Sequence, residues 1–337
     1  MNKTFIIAEI AQAHDGSLGI AHSFIDALKD TGVDAVKFQT HIAEAESSYF
    51  EPFRVNFSYV DKTRFEYWKR VEFSIEEWKE LKEHCEQNNL EFMSTPFSNG
   101  AVDLLERLSV KRYKIGSGDV NNFLLLEKVA RTKKPIILSS GMSSFEELDE
   151  TVSFLKKLGY NENSLSIMQC TTMYPTPYKF IGLNVISELK TRYNLPVGLS
   201  DHSGKMYFLL ASIALGAEVL EFHVTFDKRM FGPDSTSSLN IDEVKELVEG
   251  VRAIEDSLNN KIDKNDLSNF LEVKKIFGKT LAINKDKKAG EIISFEDLEG
   301  KKPFGLGIDA KEYKNIIGKK LKVDKKRWDF LQYEDLL

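Results

Sequence analysis

Along the first 260 residues, short apolar runs recur and alternate with amphipathic stretches. The runs are FIIAEI (5–10), AVKFQ (35–39), EFMSTP (91–96), RYKIGS (112–117), PIILSS (135–140), LSIMQC (165–170), PVGLSD (196–201) and VLEFHVT (219–225). Each is short, rich in Ile, Val, Leu or Phe, and nearly continuous, as expected of parallel strands buried on both faces. Between them lie amphipathic segments such as IEEWKELKEHCEQN (75–88) and FEELDETVSFLKKL (145–158). Ser74 with Glu77 three residues on is a capping box, which marks a helix start. Strand then helix, eight times in about 250 residues, predicts a (β/α)8 barrel. The alternative, an open doubly wound sheet, would favour a Gly-rich phosphate loop after the first strand, and no G-x-G-x-x-G stands there.

In such a barrel the active site is built at the C-terminal ends of the strands. Reading only those ends gives Glu9, Lys37 and Gln39, Thr95, Lys114 and Ser117, Ser139 and Ser140, Thr171 and Tyr174, Ser200 and His202, and Glu221 and His223. Lys37/Gln39, Ser200/His202 and Glu221/His223 are each two residues apart, so each pair points to one side of its strand. His202 and His223, on the neighbouring seventh and eighth strands, form a candidate pair of ligands for an exchangeable divalent metal. The alternative is two unrelated histidines, one hydrogen-bonded inside the barrel. Lys37, Lys114, Ser117 and Ser139 suit a small, strongly anionic substrate, such as a phosphate ester with a carboxylate. Structural ion pairs of both lysines with Glu9 and Glu221, or a Schiff-base lysine, are the other readings. Cys170 is expected as a small core residue rather than a nucleophile. His14 and His41 lie in loops on the active-site side, within reach of a substrate, whereas His22 and His84 fall on helices as surface or helix-packing residues. The aromatic insert YFEPFRVNFSYVDKTRFEYW (49–68) reads as a lid, an interface or a packed loop.

The length of 337 residues suggests two domains, or one large domain with an appendage. Charge locates the boundary. Residues 261–337 hold 18 Lys/Arg against 14 Asp/Glu, a net of +4, which leaves −10 on the remainder of a chain whose net charge is −6. The polar stretch SLNNKIDKNDLSN (257–269) reads as linker, giving a barrel over 1–258, a linker over 259–275 and a small module over 276–337. Hydrophobic residues at 42% and charged residues at 29% are ordinary for a globular protein. No apolar run approaches the roughly 20 residues that span a bilayer. The opening MNKTFIIAEIAQAHDG lacks the core and cleavage site of a signal peptide and reads as strand from Phe5. Two cysteines exclude a disulfide scaffold and fit a reducing cytoplasm. Without a Lys/Arg block, nucleic-acid binding is not expected.

A-E-I-A-Q-A-H-D-G (8–16) resembles the A-E-I-G-x-N-H-x-G opening of the sialic acid synthase family. V-K-F-Q-T (36–40), S-T-P-F (94–97), Y-K-I-G-S-G (113–118), S-S-G-M (139–142), C-T-T-M-Y-P-T-P (170–177), G-L-S-D-H-S (198–203), L-E-F-H-V-T (220–225) and G-P-D (232–234) follow in the family's order. Nine weak motifs in order, on successive strand ends, make a specific resemblance that covers essentially the whole chain. From about Ile276 the tail resembles the family's antifreeze-like (SAF, β-clip) module, most typically in A-G-E-I-I-S-F-E-D-L (289–298).

The resemblance implies condensation of phosphoenolpyruvate with an open-chain N-acetylated hexosamine, giving a nine-carbon 2-keto acid and phosphate. N-acetylmannosamine is the first expectation for the sugar, with legionaminate and pseudaminate synthesis as alternatives. It implies a divalent metal on His202 and His223, manganese ahead of magnesium or cobalt. It implies phosphoenolpyruvate on Lys37, Thr95, Lys114, Ser117, Ser139 and Ser200, and the sugar facing Gln39, Tyr174, Glu221 and Asp234. Glu9 becomes the candidate general base for the attacking water, with water held by the metal as the alternative. A domain-swapped homodimer is implied too, with Lys302 standing where the tail usually supplies an arginine to its partner's sugar site. Ala11 and Ala13 replace the usual Gly and Asn, and Thr172 an Asn found in some N-acetylneuraminate synthases. Two further readings belong to other classes. A Schiff-base aldolase would resist chelators, and a tail that binds ice or carbohydrate would make the chain non-enzymatic, although its many lysines suit ice poorly.

Overall fold

The computed structural model describes residues 3–55 and 57–337; Asn56, inside the aromatic insert, lies outside the described residues, as do the first two residues of the chain. Two compact units divide the chain, one ending at Asn260 and the other running from Lys261 to Leu337.

The first unit is a (β/α)8 barrel. Its strands are β1 (Phe5–Glu9), β2 (Ala35–Thr40), β3 (Glu91–Pro96), β4 (Tyr113–Ile115), β5 (Ile136–Ser139), β6 (Leu165–Cys170), β7 (Val197–Asp201) and β8 (Val219–His223). They stand in the order β3-β2-β1-β8-β7-β6-β5-β4. β1 pairs in parallel with both β2 and β8, and the end strands β3 and β4 lie against each other, so the sheet closes. Two apolar runs stop sooner than their composition suggested. β4 spans three residues because the chain turns at Ser117–Asp119, where Gly116 and Gly118 have no side chain to pack. β8 ends at His223 because Val224 bridges Leu239 instead.

Successive residues of a strand face opposite sides. The even side of β1, with Ile6 and Ala8, joins Val36, Phe38 and Phe92 in a large core beneath the helices. The odd side points into the barrel, where Ile7, Ala35, Met93, Ile137, Met168 and Val219 form a separate apolar plug. One step further along, the same inward side carries Glu9, Lys37, Ser139, Cys170 and Glu221. The register aligns them: Glu9 stands beside both Lys37 and His223, Ser200 beside Glu221, and Gln39 beside Thr95. The plug below therefore fixes the height and direction of the polar ring above it.

The aromatic insert is packed. Helix Arg64–Val71, opened by a Thr63–Glu66 capping box, buries Phe65, Tyr67, Trp68 and Val71 with Ala43, and Phe53 and Phe57 pack against them. The second unit holds a small antiparallel sheet, β9 (Thr280–Ile283) with β10 (Leu298–Lys301), around Leu281, Ile283, Ile293, Ile308, Ile316, Leu321 and Leu331. Its start differs from the irregular linker expected over 259–275: the LEVKKIF run forms a short helix, Leu271–Phe277.

Candidate functional site

Thirteen of the fourteen candidate residues line one cavity of about 450 Å³ at the C-terminal end of the barrel: Glu9, Lys37, Gln39, Thr95, Lys114, Ser117, Ser139, Tyr174, Ser200, His202, Glu221, His223 and Asp234. Lys302, the fourteenth, belongs to the second unit, with its ammonium 4.6 Å from the Phe277 ring centre. Ser140 and Thr171, also named at strand ends, give their hydroxyls to the Met168 and Phe180 carbonyls instead.

On the floor, an unbroken chain of charges crosses the barrel. Lys37 Nζ lies 2.5 Å from Glu9 Oε2 and 3.7 Å from Glu221 Oε2, and Lys114 Nζ lies 2.9 Å from Glu221 Oε1. Hydroxyls complete it. Lys37 donates to Thr95 Oγ1 (3.1 Å), Lys114 to Ser139 Oγ (2.7 Å), and Ser200 donates to Glu221 Oε1 (3.1 Å). All these groups are buried. Burial pushes the Glu9 carboxyl up to about 7, with Glu221 adding to the rise and Lys37 opposing it. Burial would raise Glu221 too, but Lys114 and Lys37 outweigh it and hold that carboxylate at about 2. The two carboxyl groups, alike in sequence, are thereby pushed apart into a titratable one and a permanently charged one, the arrangement that assigns acid–base roles. Lys37 itself is raised: burial acts against its charge, and Glu221 and Glu9 together prevail.

On one wall, the His202 and His223 rings sit 5.3 Å apart between centres. His202 Nδ1 is 2.9 Å from the Thr171 carbonyl, an acceptor that fixes the proton on Nδ1 and turns Nε2 outward. Nε2 faces the Tyr174 hydroxyl at 3.2 Å. Burial holds His223 neutral, lowered to about 3, with Asp234 opposing. His202 is shifted the other way: burial acts against its charge, but Cys170, the Thr171 carbonyl and Glu221 together raise it, so of the two rings only His223 is held in the neutral form in which histidine binds metal. Among the described residues, no group of three or more His, Cys, Asp or Glu is gathered to hold an ion. A cation held by these two rings would take its remaining ligands from water or substrate. Cys170 fills the space beneath, its sulfur 3.9 Å from His202 Nδ1 and 3.7 Å from Ser117 Oγ.

Several lining residues were not singled out from the sequence. Arg54, from the insert, lies over the Tyr174 ring and pairs with Asp234. Arg64 pairs with Glu51 and covers Trp68. Gln12 donates its amide to Gln39, and Gln39 donates to Glu9 Oε1 at 2.9 Å. The only signal for Arg54 and Arg64 was their place in an aromatic insert on the correct side of the barrel. His41 does reach the cavity, stacked between Trp68 and Phe97 and bonded to Glu46. His14 does not line it and packs on Phe73 instead. His22 and His84 face each other across two outer helices.

A model of the NeuB family matches residues 24–263. The N,N'-diacetyllegionaminic acid synthase of Campylobacter jejuni is 37% identical over 322 residues, spanning 95% of this chain and 96% of that protein. The human N-acetylneuraminate-9-phosphate synthase is 33% identical over 334 residues, 98% of this chain and 92% of that one. Among solved structures, an N-acetylneuraminic acid synthetase from Leptospira borgpetersenii superposes with a TM-score of 0.70 at 32% identity, covering 81% of this chain and 91% of that one.

Proposed function

The chain belongs to the NeuB family, and on that premise we propose that it condenses phosphoenolpyruvate with an open-chain N-acetylated hexosamine, releasing phosphate and a nine-carbon 2-keto acid. It is a nonulosonic acid synthase, and the observation that carries the reading of its mouth is the floor. Two ammoniums and three hydroxyls meet there beside one carboxyl group that titrates near neutrality.

Lys37 and Lys114, with Thr95, Ser117, Ser139 and Ser200, would bind the phosphate and carboxylate of phosphoenolpyruvate through charge-assisted hydrogen bonds. This orients C3 of the enol toward the aldehyde carbon of the sugar, which Gln39, Tyr174 and Asp234 hold above it. A divalent ion on His202 and His223, manganese ahead of magnesium or cobalt, would supply Lewis-acid polarisation of the aldehyde oxygen. Bond formation leaves a cation at C2. Ionised Glu9 takes the proton of the water that adds there, and the tetrahedral carbon then expels phosphate. Glu221 stays charged throughout and keeps Lys114 in place. A Schiff-base route needs a neutral amine, whereas Lys37 is held as an ammonium by two carboxylates.

N-acetylmannosamine is the first candidate sugar. The similarity to a diacetyllegionaminic acid synthase favours a diacetamido hexose as the second. The tail, as an antifreeze-like module, would bring Lys302 to the mouth of a second subunit in a swapped homodimer. Mixing Lys302→Ala with His202→Ala chains would then restore one competent site per heterodimer. The deciding experiment is phosphate release and product mass after incubation with phosphoenolpyruvate, manganese and each acetamido sugar. A product nine carbons long is expected. No phosphate release with any of them would sink the reading.

A further inference from the structure

The charges of the floor are shared along a chain, with Lys37 beside both Glu9 and Glu221, and Glu221 beside Lys114 as well. At the rim each guanidinium has a carboxylate of its own. Arg64 is paired with Glu51 at 2.8 Å and laid on Trp68. Arg54 is paired with Asp234 at 2.5 Å. Such a rim suits a neutral, polar ligand.

Arg54 differs from Arg64 in what surrounds it. Its guanidinium carbon lies 4.1 Å from the centre of the Tyr174 ring, a cation–π arrangement that fixes the plane of the fork. Only Nη2 is used, in the bond to Asp234 Oδ1. An arginine has five N–H donors, and the others have no hydrogen-bond partner among the described residues. Asp234 Oδ2 lies 3.6 Å from His223 Nδ1, and the Tyr174 hydroxyl 3.2 Å from His202 Nε2. Arg54 is therefore one side chain removed from each imidazole, at the sugar end of the cavity, with a rigid fork aimed by two neighbours and mostly unspent.

We infer that Arg54 determines sugar specificity: its free N–H donors bind the carbonyl oxygen of the acetamido group, while Asp234 and Tyr174 hold the guanidinium in place. This rests on the proposed condensation and adds the residue that reads the sugar. An amide oxygen is a strong, uncharged acceptor, and a guanidinium hydrogen-bonds it without needing a counter-charge that Asp234 already supplies. A site built around such a bond rejects the analogue that lacks the group, because the donors are then left unpaired.

The test compares N-acetylmannosamine with mannose, which carries a hydroxyl in place of the acetamido group. In Arg54→Ala the ratio of kcat/KM for the two sugars should fall about tenfold or more, with KM for phosphoenolpyruvate within about twofold of the parent, since one charge-assisted bond is worth about a decade or more. Arg54→Lys keeps the charge beside Asp234 but not the fork, and should leave the ratio low. A purely structural role would lower turnover of both sugars alike and keep their ratio, which would overturn the inference. A ratio lost in Lys302→Ala but kept in Arg54→Ala would overturn it too. Calorimetric titration with the corresponding alditols, which have no aldehyde to react, reads the same discrimination without turnover. If the parent condenses neither of these sugars nor a diacetamido hexose, the proposed condensation fails, while the alditol comparison still decides Arg54.

Discussion

On the floor of the mouth, Glu9, Lys37, Glu221 and Lys114 project from strands and are almost wholly buried; at the rim, Arg54, Arg64, Glu51 and Asp234 project from loops and the insert. The Lys37 side chain is 3% exposed and that of Arg54 34%. The same pairing of carboxylate with cation thus has different consequences in the two places. Water screens the rim pairs, so each contributes about 1 kcal/mol or less to stability, and their value lies in position. The floor pairs cannot be broken singly, because the partner left behind is a buried charge. The strands that hold them cannot shift without moving the apolar plug beneath. On the proposed reading, the floor performs the chemistry and the rim reads the sugar.

The largest expected effect lies between the two regions, on the wall. His202→Ala or His223→Ala should abolish condensation, a loss of at least about a thousandfold, while circular dichroism and melting show an intact barrel. Normal turnover by both variants after chelation would show that no metal acts there. Next, on the floor, Lys114→Ala strands Glu221 and should cost about 3–5 kcal/mol in urea unfolding. Phosphoenolpyruvate binding should weaken at least about tenfold in the fraction that remains folded. A stability change as small as that of a rim variant would dissolve the contrast.

A smaller and more diagnostic effect concerns pH. Glu9 must be ionised to accept a proton, and its carboxyl is raised from 4.5 to about 7. The kcat/KM profile should therefore fall on the acid side with a midpoint near 7, and Glu9→Gln should lose about a hundredfold in rate and that limb with it. Stability runs the other way for Glu221. Its carboxylate is lowered from 4.5 to about 2, so the contribution is fully present above the unfolded value and drains away as pH falls from 4.5 toward 2. An acid limb unchanged in Glu9→Gln would remove Glu9 from the mechanism. At the small end, Glu51→Gln at the rim should change melting by less than about 1 kcal/mol and turnover by only a few-fold. So should Ala11→Gly, where the φ of 48° strains an alanine but the buried methyl group would be lost.

Much of this was legible in the chain. Eight apolar runs specify eight strands because a strand covered on both faces must be apolar nearly throughout, and polar residues at the end of each run have one place to go in a barrel. Period-two spacing puts Lys37 with Gln39 and Glu221 with His223, since side chains alternate strictly along a strand. Other features were decided by tertiary structure alone. Glu9 and Glu221 are indistinguishable as letters. Only the distances to Lys37 and Lys114, across strands far apart in sequence, divide them into a group that titrates near 7 and one that does not. Arg54 sits in a loop with no periodicity, and nothing local marks it as a residue of the cavity. Its meaning comes from Tyr174 and Asp234, 120 and 180 residues further along. Strands and helices follow from short-range patterning, which a sequence carries. Electrostatic identity depends on burial and on partners brought together through space, and those exist only once the barrel has closed.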